Sequence, residues 1–231
     1  MHVARPDLYV GIHQLASEVS RWSAECDRRL HKLYCYMSSH ADMHLQWSLS
    51  YAKDARYVIH HWPDADLNGS PFTSKSCSGL WLEICDNFGN SFPIAWGSKK
   101  QEATASHTCE AETVSLSSSL RGEAIPAQML LSGVLGSPVD VVIHEDNAAC
   151  IIAVQKGYSP AMRYLTRTQR IALGFLHETT QQTQDIDKYG NINIIKTDTK
   201  EHKGDFFTKA LTTADFQLAR TRIGMFQSNP K

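Results

Sequence analysis

The succession of hydrophobic patterns predicts an α/β protein: a mixed five-stranded sheet in the order βββαβαβα, flanked by helices and preceded by an N-terminal helical pair. Three observations carry this prediction. Between residues 57 and 96, β-rich runs separated by a short turn read as an antiparallel meander. Val139 to Ile143, a short β-branched run, and a later isoleucine run alternate with helical patterns, as crossover-connected strands do. Finally, four acids far apart in sequence, Asp64, Glu110, Asp146 and Asp205, each fall where a strand ends or a helix begins. In a twisted sheet with helices packed on it, such ends can converge on one edge.

Taken in order, residues 1–50 read as two helices. Pro6 and Asp7 supply a first-turn proline and acid, followed by Leu8, Ile12, Leu15 and Val19 at i, i+4, i+7 and i+11. Ser23 can cap a second helix carrying Cys26, Leu30, Leu33 and Met37. The matching stripes imply an antiparallel pair, too small for a core of its own and so expected to be the tail of a larger unit.

Tyr57 to Trp62 forms the first strand, ending at Pro63. Leu80 to Cys85 forms the second, Asp86-Asn87-Phe88-Gly89-Asn90 a turn, and Phe92, Ile94 and Trp96 alternate on the third. A helical region from about Thr108 to Leu135 is interrupted by Gly122 and Pro126, which predicts a kink or two helices. After the fourth strand, a helix over Ala148 to Gln155 meets a Gly-Tyr-Ser-Pro break, and a longer helix runs from about Arg163 to Thr180. The polar stretch TTQQTQDIDKYGN is read as a loop, Ile192, Ile194 and Ile195 as the fifth strand, and Asp205 to Gly224 as a helical tail.

Composition bounds the alternatives. The 231 residues suffice for one good-sized domain plus a small accessory unit, with 42% hydrophobic residues and a formal charge of -1. No apolar run approaches the roughly 18–20 residues of a membrane span, and no signal peptide is visible, so no membrane partner is expected. The six cysteines form no CxxC pair, and most lie inside apolar patterns. Buried free thiols in a reducing, cytoplasmic compartment are expected ahead of structural zinc.

Four carboxylates brought together repel one another unless cations neutralise them, so the constellation reads as a site for hard divalent metals. Two-metal phosphoryl transfer needs such a site. Geometry leaves choices among neighbours. Glu110 and Glu112 point in different directions on a helix, so one suffices, and Glu145 and Asp146 face opposite ways. Asp64 and Asp66 could share a face. Each acid alone is also a common cap or turn residue.

The motifs PDADLNG, SKSCSG, AWGSKKQ, HTCEAET, HEDNAACI and GDFFTKAL, in this order, resemble the ribonuclease H domain of copia-type (Pseudoviridae) retrotransposon polyproteins. The opening ARPDLYVGIHQLA resembles the segment that closes their reverse transcriptase. The resemblance covers nearly the whole chain. It implies a ribonuclease H-like fold, with residues 1–50 as a thumb- or connection-like reverse transcriptase tail and 51–231 as the ribonuclease H domain. It makes Asp64, Glu110, Asp146 and Asp205 the catalytic and metal-binding quartet, choosing Asp64 over Asp66 and Glu110 over Glu112. Two Mg²⁺ ions, with Mn²⁺ as an alternative, are the implied cofactors. An RNA/DNA hybrid and the reverse transcriptase portion of the same polyprotein are the implied partners, in a cytoplasmic retroelement particle. The chain departs from the pattern at Thr113, where an aromatic is usual, and at Pro126, and it has no YxDD polymerase motif.

A phosphate backbone needs discontinuous positive surface. Arg163, Arg167 and Arg170 at i, i+4 and i+7 predict one basic helix stripe, which is otherwise an ordinary solvated face; Lys99, Lys100, Lys200 and Lys203 add to it. Ser98, Gln101, Thr108 and Asn147 are expected as polar contacts to the 2′-hydroxyls that distinguish RNA. His202, three residues before Asp205, is a candidate for proton transfer, although a surface histidine is the expectation. His60 and His61 alternate across a strand without metal-ligand spacing. The favoured reading is endonucleolytic hydrolysis of the RNA strand of hybrids. The alternatives are an inactive hybrid-binding or polymerase-docking remnant and an integrase or transposase on the same fold.

Overall fold

The computed structural model describes residues 5–69, 74–181 and 186–228, and the chain divides into two units, Met1–Gln46 with Lys209–Lys231, and Trp47–Thr208. The first unit holds helices at Tyr9–Ser17, Ala24–Ser39 and Thr213–Arg222, and an antiparallel pair of short strands, Met43–Leu45 with Met225–Gln227. Leu8, Leu15 and Cys26 are buried as the stripes predict, but Val19 is exposed because the first helix ends at Ser17. Tyr36 ties the unit together. Its hydroxyl donates to Asp7 Oδ2 at 2.7 Å and accepts from Arg220 at 3.1 Å, while its ring meets Phe216 edge-on.

The second unit contains the sheet: β1 (Tyr57–Asp66), β2 (Cys77–Asp86), β3 (Ser91–Lys100), β4 (Asp140–Glu145) and β5 (Ile192–Lys196). Their spatial order is β3-β2-β1-β4-β5. β1, β2 and β3 pair antiparallel, while β4 and β5 run parallel to β1. This is the mixed five-stranded arrangement of the predicted fold class. The helices are α1 (Thr108–Ser119), α2 (Ile125–Leu135), α3 (Ala148–Lys156), α4 (Leu165–Thr168), α5 (Leu173–Thr180) and α6 (Ile186–Tyr189). The main core joins Ile59, Val141 and Ile143 of the sheet to Leu116, Leu120, Val154 and Leu176 of the helices.

Four expectations are corrected. β1 does not stop at Pro63 but continues to Asp66. Its last pair with β4 is His61 with Ile143, so beyond that point one edge has no ladder for a proline to interrupt. Asp64 therefore lies inside the strand. Second, the expected helix from Arg163 to Thr180 is broken into α4 and α5, with Arg170 at φ 56° between them. The break buries Ile171, whose carbonyl accepts from Thr166 Oγ1 at 3.1 Å. Third, Asp205 does not open a long helix. It sits in a 3₁₀ turn, Lys203–Phe207, and the next helix starts only at Thr213. Fourth, the stretch read as a loop contains α6, although its residues 182–185 fall outside the described residues.

The predicted kink near Gly122 and Pro126 is a π-helical segment, Leu120–Ala124, that passes directly into α2. Pro126 falls in the first turn of α2, where a missing N–H matters least.

Candidate metal centre and nucleic-acid face

Helix α1 lies close on β1 because its contacting face is built from small residues. Ala111, Ser115 and Ser119 recur at i, i+4 and i+8. Ser115 Oγ donates to the Asp64 carbonyl at 2.7 Å, and Ser119 Oγ lies 2.9 Å from His61 Nε2. That close approach brings the first turns of α1 to the Asp64 end of β1.

Two overlapping groups of candidate ligands result. Asp64, Glu112 and Asp146 have ligand atoms within 4.8 Å of one another, and so do Asp64, His202 and Asp205. Asp64 belongs to both. It is fully buried, and its Oδ2 accepts a hydrogen bond from Thr208 Oγ1. Asp146 Oδ2 accepts from Thr199 Oγ1 at 2.8 Å. A set of clustered carboxylates, with an imidazole beside them, fits a divalent cation by charge and by donor type.

Of the expected quartet, Asp64, Asp146 and Asp205 therefore come together, and Glu110 does not. Glu112 stands in its place. Two residues apart on a helix is about 200° of rotation, so only one of the pair can face Asp64. Glu110 turns toward the segment after α3: its Oε2 accepts from Tyr164 Oη at 2.8 Å and Ser106 N at 2.7 Å, and its Oε1 from Gln169 Nε2 at 3.3 Å. Glu145 faces away from Asp146 as expected, into the protein. Burial, with Asp146 and Asp64 adding repulsion, pushes its carboxyl up to about 8.

His202 corrects the surface expectation: it is only 4% exposed. Its Nε2 lies 2.8 Å from the His144 carbonyl, which can only accept, so Nε2 carries the proton. The segment around it is held against the sheet by several contacts. Phe206 and Phe207 are buried, Phe207 stacks on Trp81, and Lys203 pairs with Glu83 at 2.5 Å while lying over the Trp62 ring. Lys203 is thus engaged in packing, not free for phosphate. Gly79 and Gly204 permit the approach: a Cβ on Gly204 would lie 2.8 Å from Asp64 Cβ, and one on Gly79 2.5 Å from Thr208 Cγ2. Thr208 escaped the sequence reading, although it is the threonine of the TKAL motif.

The substrate residues are redistributed. Arg163, Arg167 and Arg170 are all exposed, but the break after α4 means that they form no single helix stripe. Arg170 instead lines a cleft with Lys99, Lys100 and Arg121, the last of which was not anticipated. Gln101 is buried and holds Ser78 Oγ and the Ala111 carbonyl, each at 2.9 Å, so it is a packing residue. Asn147 caps α3 through Cys150 N at 3.0 Å. The Ser98 hydroxyl lies 2.8 Å from Cys77 Sγ, and Thr108 is exposed in the first turn of α1.

No family model matches the chain. Among solved structures it is similar to the RNase H1 of the halophilic archaeon Halobacterium salinarum NRC-1, at 14% identity and a TM-score of 0.38, covering 63% of this chain and 89% of that one. LC11-RNase H1 in complex with an RNA/DNA hybrid matches at 13% identity and TM-score 0.37, over 66% and 94% of the two chains. The foamy viral protease-reverse transcriptase in complex with dsDNA matches at 15% and 0.40, over 82% of this chain and 33% of that one. The functional reading rests on the site rather than on these distant likenesses. Among the described residues, no helix is long and apolar enough to cross a membrane.

Proposed function

We propose that this chain is a metal-dependent ribonuclease H that hydrolyses the RNA strand of RNA/DNA hybrids. The observation that carries the reading is the double membership of Asp64, one buried carboxylate shared by two adjacent ligand groups. Asp64, Glu112, Asp146 and Asp205 are the proposed carboxylate ligands. They would hold divalent cations, Mg²⁺ with Mn²⁺ as an alternative, which would supply positive charge to ease deprotonation of an attacking water and to stabilise the leaving phosphate oxygen.

The protein's own groups set the geometry. The Thr208 hydroxyl donates to one Asp64 oxygen, and the Thr199 hydroxyl restrains Asp146. Glu110 acts indirectly, anchoring the Tyr164–Gln169 segment that precedes Arg170. Lys99, Lys100, Arg121 and Arg170 line a cleft suited to a phosphate backbone, and the exposed Arg163, Arg167 and Thr108 extend that surface. The ordered motif string supports a retroelement origin, with the helices at Tyr9–Ser17 and Ala24–Ser39 as the end of a reverse transcriptase in the same polyprotein.

The test is cleavage of a labelled hybrid in Mg²⁺ or Mn²⁺ by the full chain and by Asp64→Asn. Cuts confined to the RNA strand, lost by roughly 10³-fold in the variant, are expected. Tight hybrid binding with no turnover in either metal would replace this reading with that of an inactive hybrid-binding remnant.

A further inference from the structure

We infer that His202 is a nitrogen ligand at the Asp64–Asp205 position, making it a mixed nitrogen and oxygen site that takes a first-row divalent transition ion in preference to Mg²⁺. The inference rests on the metal-binding reading above and extends it to one residue and one ion class.

Three independent features point the same way. His202 is 96% buried, and its Nδ1 has no hydrogen-bond partner, although a buried polar nitrogen ordinarily finds one. Its other nitrogen, Nε2, donates to the His144 carbonyl at 2.8 Å, which in the neutral ring places the lone pair on Nδ1. Metal-bound histidines are oriented in this way, by a carbonyl or carboxylate on the second ring nitrogen. Third, the imidazole has a ligand atom within 4.8 Å of those of both Asp64 and Asp205. Gly204 makes the arrangement sterically feasible, since a Cβ there would fall 2.9 Å from His202 Cε1 as well as against Asp64.

Burial also argues against a mobile proton shuttle, because the ring is held on one side by a carbonyl and sits in a packed turn. Imidazole is a borderline donor that suits transition ions, whereas Mg²⁺ favours an all-oxygen shell. The competing arrangement is a protonated His202 that bridges the two carboxylates without touching metal.

The experiment is pulsed electron paramagnetic resonance on the full chain loaded with Mn²⁺ alone, using natural-abundance protein and protein labelled with ¹⁵N in histidine only. The expected result is a directly coordinated ¹⁴N signal that converts to ¹⁵N on labelling. In His202→Gln it should disappear while Mn²⁺ still binds, with affinity for Mn²⁺ lowered about 10-fold or more and affinity for Mg²⁺ changed far less. Bound Mn²⁺ without histidine coupling, or coupling that persists in His202→Gln, overturns the ligand assignment and leaves the carboxylate site standing. Failure to bind Mn²⁺ at all removes the metal centre itself, and this proposal with it. If the variant does not fold, the labelled wild type still shows whether a histidine nitrogen is bound to the ion.

Discussion

The two candidate ligand groups that meet at Asp64 are built in different ways. One is carried by or next to regular elements: Glu112 by the second turn of α1 and Asp146 by the position directly after β4. The other is carried by a 3₁₀ turn, where His202 and Asp205 are positioned by buried aromatic rings, two glycines and an internal ion pair. Helix periodicity and strand register locate the first group, because backbone hydrogen bonds dictate which side chains share a face. Only side-chain packing locates the second. The first should therefore tolerate substitutions in its surroundings that the second does not.

The sharpest way to break the contrast is Phe207→Ala. Phe207 is fully buried against Trp81 and makes the irregular segment part of the core. A loss of about 4 kcal/mol in urea unfolding is expected. A loss below about 1 kcal/mol would mean that packing is not what holds His202 and Asp205 in place. The regular side is tested by exchanging the two glutamates of α1. Glu112→Gln should reduce hybrid cleavage about 10²-fold with little change in stability. Glu110→Gln should do the reverse, costing about 2 kcal/mol of stability through its buried contacts with Tyr164, Ser106 and Gln169. Equal loss of cleavage in both would put Glu110 back among the ligands.

A smaller effect is a pH dependence at the face of β1 that meets α1. His61, on the face toward α1, is fully buried, and that burial pushes its imidazole down to about 3. The unfolded chain binds this proton below about pH 6.5 while the folded one stays neutral. Stability from His61 is thus complete above pH 6.5 and declines as pH falls toward 3, by up to about 1.4 kcal/mol per pH unit. Urea midpoints between pH 7 and 5 should show such a slope, and His61→Asn should reduce it, leaving the part contributed by His144, whose imidazole is also pushed down to about 3 by burial. An unchanged slope in the variant would assign the acid sensitivity to other groups.

Much of the fold was legible because it follows from periodicity. The meander forms as expected, with strands up to four residues longer than their apolar runs, and the β-branched β4 and the start of α3 at Ala148 lie within one or two residues of expectation. Misreadings arose where a residue's local preference met a tertiary demand. Pro63 reads as a strand terminator, yet β1 passes through it at an edge without a ladder. Arg163, Arg167 and Arg170 have helical spacing, yet burying Ile171 divides the helix and sends Arg170 into the left-handed region. Glu110 was favoured over Glu112 by motif pattern, whereas the small-residue face of Ala111, Ser115 and Ser119 carries the signal that α1 turns Glu112 toward β1.

By itself, the sequence determined the mixed α/β class, because periodicity is a local property, and it brought Asp64, Asp146 and Asp205 forward as candidate ligands, the motif resemblance choosing Asp64 over Asp66. Only the tertiary structure decided that Glu112 faces them and that His202 is buried beside them. Which side of a helix meets a strand, and whether a polar loop is drawn into the core, depend on packing between residues distant in the chain. The small-residue face of α1 marks the side that can meet a strand without naming the strand, and neither the hydropathy nor the spacing around His202 encodes its burial.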